Sequence, residues 1–353
     1  MDAVTSAPIG FAHGKYRRIE AAKIGMGEMP TRRHMLGILG GAWVATGLPA
    51  RAAEFPSGPI TFIVSFPAGG SIDVVVRAMA GRLQEQLGKA IVVENRAGAG
   101  GVLAAGDVAK ATPDGQTLLA AASSLAANPT LVKSLPYDTL KDLQAVALIF
   151  RTPLVLVVNP KLPVHTVAEL VALLKAKPGQ IDFGHGGPGS AIHLAGELFQ
   201  VMTGTEMTGV SYRGAPLALN DVMAGHVALM FADAGSVMGQ INAGTVRALG
   251  VSSTIRVPAL PDVPTIDEAG VPGFDAVGWT LICAPAATPK PVVERLNAEL
   301  KKAAAAPEVQ SLMIKLGTVP VQSPAPAELQ KFLAAEIERW GDLIKRAGVA
   351  NTL

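Results

Sequence analysis

The sequence predicts an α/β protein built as two lobes, each a mainly parallel sheet flanked by helices. Three observations carry this. Short β-branched runs alternate with longer amphipathic ones along most of the chain, the pattern of strands covered by helices. The composition suits buried sheets, with 49% of residues apolar, 5% aromatic and only 16% charged. Some ~300 residues follow the N-terminal segment, more than one compact core usually organises.

The elements follow in order. Residues 60–66 are apolar and β-branched, then break at Pro67-Ala68-Gly69-Gly70. Ser71 opens a segment with apolar residues at Ile72, Val75, Val76, Met79, Leu83 and Leu87, which is helical spacing over 71–87. Further strands are expected at 90–94, 117–121, 145–150, 154–158, 207–210, 227–231, 246–251 and 277–284. Helices are expected at 166–176, 191–202, 215–224, 289–306 and 325–347. Pro/Gly-rich crossings fall near Thr152-Pro153 and over 270–275. They divide the chain into one lobe of residues 54–152 plus 275–353 and an inserted lobe of 153–274, with a hinged cleft between.

Residues 1–52 read as an extension and a cleaved export signal. Arg32-Arg33 precede an apolar, Gly- and Ala-rich stretch over 36–50, shorter than the ~20 residues a spanning helix needs. Ala50-Arg51-Ala52 is a small-x-small cleavage pattern, and Thr-Arg-Arg-x-Met-Leu resembles a twin-arginine signal. Met29, just upstream, offers an alternative start. Of 30 basic and 28 acidic residues, seven basic and three acidic lie in this segment, which leaves the rest at 23 against 25. The apparent basicity therefore belongs to the signal, and nothing beyond it suggests nucleic-acid or membrane-surface binding. The single cysteine, Cys283, lies in an apolar run and reads as a buried thiol. The expected location is the periplasm.

Two junctions carry the chemistry. At the first, a strand runs into Gly69-Gly70, with Ser71 at the expected N-cap and Asp73 in the first turn. At the second, Ile181-Asp182-Phe183 leads into Gly184-His185-Gly186-Gly187-Pro188-Gly189-Ser190 and then a helix. Both would aim free N–H groups and a helix N-terminus at an anion. A carboxylate shared between two such loops suits that geometry.

In this setting the ordered motifs resemble the substrate-binding receptors of tripartite tricarboxylate transporters, also called Bug-type periplasmic receptors. The resemblance rests on Val92-Val93-Glu94-Asn95-Arg96-Ala97-Gly98, Pro113-Asp114-Gly115-Gln116, Leu135-Pro136-Tyr137-Asp138, Ser190-Ala191-Ile192-His193-Leu194-Ala195-Gly196-Glu197-Leu198-Phe199, Tyr212-Arg213-Gly214 and Ala259-Leu260-Pro261-Asp262-Val263-Pro264-Thr265. It covers essentially the whole chain after the signal.

The resemblance implies a two-lobed periplasmic binding (Venus-flytrap) fold. It implies a receptor that captures a small carboxylate and delivers it to the membrane subunits of a tripartite transporter, as a monomer and without a cofactor or metal. Carried over, the first-lobe site is Phe66, Ala68, Gly69, Gly70, Ser71 and Asp73. The second-lobe site is Gly186, Gly187, Gly189, Ser190 and His193, with His185 beside it. Side pockets would include Ser123, Ser124, Asn128, the loop Tyr212-Arg213-Gly214-Ala215, and Asp233.

This chain departs from the family pattern by carrying His185 where a small residue such as Ser is common, and Pro188 where Asn is common. Structural alternatives stand beside these roles. Asp73 could only cap its helix, and His193 could be a hydrogen-bonded structural histidine. Arg213 could pair with a ligand carboxylate or be solvated or salt-bridged, and Asp233 could recognise an amine or hydroxyl or stabilise a turn. His185 could face the cleft, where a bound carboxylate would raise its pKa, or pack inward beside Pro188.

The rival class is a periplasmic enzyme, and its motifs fail. Leu103 occupies the third glycine position of G-x-G-x-x-G. Pro188 and Ile192 break G-x-S-x-G around Ser190. HExxH is absent, and His185 and His193 lack metal-ligand spacing. A ligand-sensing partner of a membrane signalling protein is the other alternative, and the fold permits it.

Overall fold

The computed structural model describes residues 55–352. The first half runs β1 (Ile60–Val64), α1 (Ser71–Leu87), β2 (Ile91–Asn95), α2 (Val102–Ala109), β3 (Thr117–Ala122), α3 (Ser124–Leu131), α4 (Thr139–Asp142), β4 (Leu143–Thr152) and β5 (Leu154–Val158). It continues with α5 (Val167–Ala176), β6 (Asp182–His185), α6 (Ala191–Thr203), β7 (Thr208–Ser211), α7 (Ala215–Ala224), β8 (Leu229–Asp233), α8 (Ala234–Asn242) and β9 (Arg247–Val251). The chain closes with β10 (Gly278–Pro285), α9 (Lys290–Ala304), α10 (Pro307–Lys315), β11 (Val319–Pro320) and α11 (Pro326–Arg346). The export signal and its Arg32-Arg33 pair lie outside the described residues.

Two sheets organise these elements. A six-stranded sheet has the order β11-β4-β10-β3-β1-β2, and a five-stranded sheet the order β7-β6-β8-β5-β9. The two-lobed α/β class is as expected, but neither sheet is mainly parallel. β1 runs parallel to β2 and β3, whereas β10 runs antiparallel to β3 and β4. In the second sheet β6 runs parallel to β7 and β8, whereas β5 is antiparallel to β8 and β9. The strands that follow the two crossings, β5 and β10, enter reversed. A strand that arrives directly from the other sheet, with no crossover helix, is free to enter in either sense.

That reversal fixes where the sheets meet. Thr152 of β4 pairs with Gly278 of β10, and Thr280 pairs with Ala122 at the end of β3. Leu154 of β5 pairs with Asp233 at the end of β8. Only Pro153 separates β4 from β5. The crossing therefore joins the carboxyl edge of one sheet to the carboxyl edge of the other. In open α/β sheets this edge is where ligands bind.

Burial follows the strand pattern. β4, β5 and β10 are near-continuous apolar runs and are almost wholly buried, as central strands should be. One face of the six-stranded sheet packs on α1 and α9 through Val75, Met79, Leu83, Val293, Leu296 and Leu300. The core on its other face runs on through α3 and α11 into the five-stranded lobe. Cys283 is fully buried, and burial pushes its thiol up to about 12.

α2, α3, α4, α8 and α10 lie outside the helices expected from sequence. α2 and α3 are only eight residues each, and α3 carries Pro129 near its end. α8 holds Gly235 and Gly239, so its local signal is that of a turn.

Candidate functional site: two glycine loops at facing sheet edges

The first loop leaves β1 at Val64. Gly69 adopts φ +85°, a left-handed conformation that favours glycine. Gly70 is extended (φ −73°, ψ 164°) and holds the N-cap position of α1 without a side-chain cap. Ser71 is thus the first helical residue, one place later than expected, because the glycine already turns the chain into the helix.

Asp73 does the work a cap would do. Its Oδ2 accepts the Gly69 N–H at 2.8 Å, and its Oδ1 accepts from Arg77 Nε and Asn95 Nδ2, each at 2.9 Å. Asn95 Nδ2 also donates to the Phe66 carbonyl at 3.1 Å. The carboxylate is 4% exposed. Burial alone would raise its pKa, but the Gly69 N–H, Asn95 and Arg77 together hold it below the ordinary value.

The second loop repeats this design with different parts. Ser190 is the N-cap of α6, as expected. Its Oγ accepts the His193 N–H at 3.2 Å, and its hydroxyl donates to the Gly187 carbonyl at 2.8 Å. Gly187 (φ +110°) and Gly189 (φ +72°) make the turn. The Gly189 N–H donates to His193 Nδ1 at 3.3 Å. Gly186 sits against the start of α7, where an added Cβ would be 3.0 Å from the Ala215 nitrogen. The Tyr212 N–H donates to the His185 carbonyl at 2.9 Å and ties that entry to β6.

What remains free defines the chemistry. Among the described residues the N–H groups of Ser71 and Ile72 at α1, and of Ala191 and Ile192 at α6, have no acceptor. Each group sits at the positive end of a helix of 13 or more residues. The sequence reading did not single out Ile72, Ala191 and Ile192, because an amide donor leaves no side-chain signature. Helix-start position was the only available signal.

Some of the other expected residues are engaged elsewhere. Ser124 Oγ and Asn128 Nδ2 donate to the Gly100 carbonyl at 2.8 and 3.3 Å, so they brace the 98–101 turn. Ser123 is buried at the N-cap of α3. Tyr212 Oη donates to Asp221 Oδ2 at 2.6 Å. Ala68 is exposed, and so is Arg213, which pairs with no acid among the described residues. Gly214, at φ +126°, starts α7. Asp233 ends β8, half-buried, and burial pushes its pKa up.

His185 takes the inward of its two expected positions. Its ring is 4% exposed and lies 4.4 Å from the His193 ring and 5.6 Å from the Phe183 ring, centroid to centroid. Strand alternation places it with Phe183, under α6. Burial lowers its pKa, offset in part by the Gly187 backbone.

The second loop also rests on the other lobe. A Cβ at Gly189 would overlap the Leu131 side chain of α3. Gly189→Ala should therefore cost about 2–4 kcal/mol, from the left-handed backbone and the overlap together. Leu131→Ala in the same molecule should recover part of that loss, as a double-mutant cycle of melting curves would measure. Purely additive losses would mean that the loop and α3 do not bear on each other.

A groove of about 750 Å³ lined by Leu140, Gln144, Lys290, Gln330 and Lys331 contains none of these groups.

Two mixed sheets joined at their carboxyl edges, each carrying a glycine loop there, place the chain in the class of periplasmic binding proteins. The chain matches the tripartite tricarboxylate transporter family receptor model over residues 75–349, and it belongs to that family. It is 39% identical to the protein BugT of Bordetella pertussis over 313 residues, 87% of this chain and 96% of BugT. It is similar in structure to Rhodopseudomonas palustris Rpa4515 with adipate (TM-score 0.75, 34% identity, 84% of this chain and 99% of that one). It is similar also to MatC from the same species with bound malate (TM-score 0.72, 33% identity, 82% and 100%). The family is one of solute-binding receptors, not of enzymes.

Proposed function

We propose that this chain is a periplasmic receptor that clamps a small carboxylate between its two lobes and hands it to the membrane subunits of a tripartite transporter. The observation that carries this reading is the pair of helix N-termini, α1 and α6, with unpaired N–H groups at sheet edges joined by a single residue. The adipate and malate held by the two structural relatives support the ligand class. In this reading the lobes are residues 54–152 plus 275–353 and residues 153–274. The clamp is Gly69, Gly70, Ser71 and Ile72 against Gly186, Gly187, Ala191 and Ile192, with Asp73, Ser190 and His193 holding the loops in shape.

A melting-curve screen of the purified protein against mono-, di- and tricarboxylates tests it. A ligand of the folded state alone at 100 times its Kd stabilises by about 2.7 kcal/mol. A shift with none of them, or a shift only with uncharged solutes, would sink the reading.

The export route is a separate element of this proposal. Arg32 and Arg33 replaced together by Lys should trap the precursor in the cytoplasm. Normal export and trimming near Ala52 of that double variant would instead favour the general secretory route.

A further inference from the structure

One group at the second sheet edge has the wrong sign for an anion site. Asp233 ends β8 and stands at the N-cap position of α8, yet its side chain caps nothing. Only its main-chain carbonyl is used, accepting from Ser236 Oγ at 2.8 Å. Its carboxylate accepts no hydrogen bond and meets no cation among the described residues. Asp73, Asp221 and Glu197 are by contrast engaged: Asp73 by Gly69, Arg77 and Asn95, Asp221 by Tyr212, and Glu197 with His193.

Register and alternation place Asp233 beside the clamp. β6 and β8 are parallel neighbours, with Phe183 opposite Leu229 and Gly184 opposite Met230. Such strands lie ~4.8 Å apart. β6 gives way to the glycine loop at Gly186, and β8 reaches Asp233 at the same edge. Phe231 packs on Phe199 of α6, so Asp233, two residues on, falls on the face that α6 covers. That helix begins with the free Ala191 and Ile192 N–H groups.

A carboxylate held at those amides would lie near a second carboxylate with no counter-charge. Like charges at such range in a partly desolvated site oppose each other. A donor on the ligand between the two carboxylates turns that repulsion into a charge-assisted hydrogen bond. We propose that Asp233 is a specificity residue that selects small carboxylates bearing a hydrogen-bond donor, ammonium or hydroxyl, on a carbon next to the clamped carboxylate. This rests on the carboxylate clamp proposed above.

Calorimetry with ligands of matched skeleton tests it: propionate, lactate and alanine; succinate, malate and aspartate; adipate, 2-hydroxyadipate and 2-aminoadipate. In whichever series binds, a donor-bearing member should bind at least about tenfold tighter than the plain acid. The amino and hydroxy arms identify which donor is read. Asp233→Asn, nearly isosteric, should tighten the plain acid and reduce the amino-to-plain ratio to within about threefold, and Asp233→Ala should do the same. A plain acid that binds wild type as tightly as its substituted partners overturns the proposal, as does an unchanged ratio in both variants. Either result leaves the clamp standing. If no carboxylate binds at all, the clamp itself fails, and the selectivity with it.

Discussion

Asp73→Ala is expected to lower the stability of the protein by about 2–5 kcal/mol and to weaken every carboxylate ligand at least tenfold. The buried carboxylate accepts from the Gly69 N–H, Arg77 and Asn95, and Asn95 passes the restraint on to the Phe66 carbonyl. Arg77 in turn donates to Asn95 Oδ1 at 2.8 Å, so the loop, α1 and the end of β2 are held by one group. Hydrogen bonds to a charged group contribute ~1.5–3 kcal/mol each, and buried donors left without a partner add to the loss. The affinity falls for a second reason. The Ser71 and Ile72 amides keep their helix, but the Gly69–Gly70 turn that aims them loses its anchor.

The pH dependence has a definite sign. The folded pKa of Asp73 lies below its ordinary value, so its contribution is present above the unfolded pKa of ~3.9 and is lost as pH falls through the folded pKa. The gap in melting temperature between wild type and Asp73→Ala should therefore close in strong acid. Melting curves and calorimetry at neutral pH check the main effect. Both quantities within error of wild type would show that the first loop does not depend on this carboxylate.

The two junctions were legible in the sequence because their signals are local. An apolar run, a glycine pair and a Ser or Asp within three residues of a helix start are read within one window, and Ser190 caps α6 as that pattern demands. The displacement of Ser71 by one place has the same local origin. Glycine can hold an N-cap position through its backbone alone, which composition cannot distinguish from a serine cap.

What was not legible depends on distant partners. The direction of β5 and β10 is decided by which sheet each joins after the crossing. Ser124 and Asn128 donate to the Gly100 carbonyl, 24 and 28 residues away, a bracing role that no local window reveals. The inward turn of His185 follows from which face of β6 meets α6, a tertiary choice with no local signature.

The histidine pair under the second loop should make the protein sensitive to mild acid. His193 Nδ1 accepts the Gly189 N–H and so carries no proton, while its Nε2 lies 3.5 Å from Glu197 Oε1. Burial first, and the neighbouring His185 second, hold His193 down at about 4. Burial also lowers His185. Both imidazoles are therefore neutral in the fold at pH values where they would be charged in the unfolded chain.

The unfolded state binds more protons below the ordinary histidine pKa of 6.5, so stability falls as pH drops from there toward 4. At ~1.4 kcal/mol per pKa unit, His193 alone accounts for about 3 kcal/mol of that loss. Glu197 works in the opposite sense: burial raises its pKa, so its protonation favours the fold in acid and offsets part of the loss. His193→Gln offers the Gly189 N–H a side-chain oxygen with no charge to gain, and His185→Ser removes the second ring. Each should flatten the fall in melting temperature between pH 7 and 4.5, and the double variant should flatten it most. Parallel melting-temperature profiles for wild type and both variants would place the acid sensitivity elsewhere. Because the rings lie beneath the loop, this sensitivity should appear without ligand, whereas a ring facing a bound carboxylate would titrate chiefly on binding.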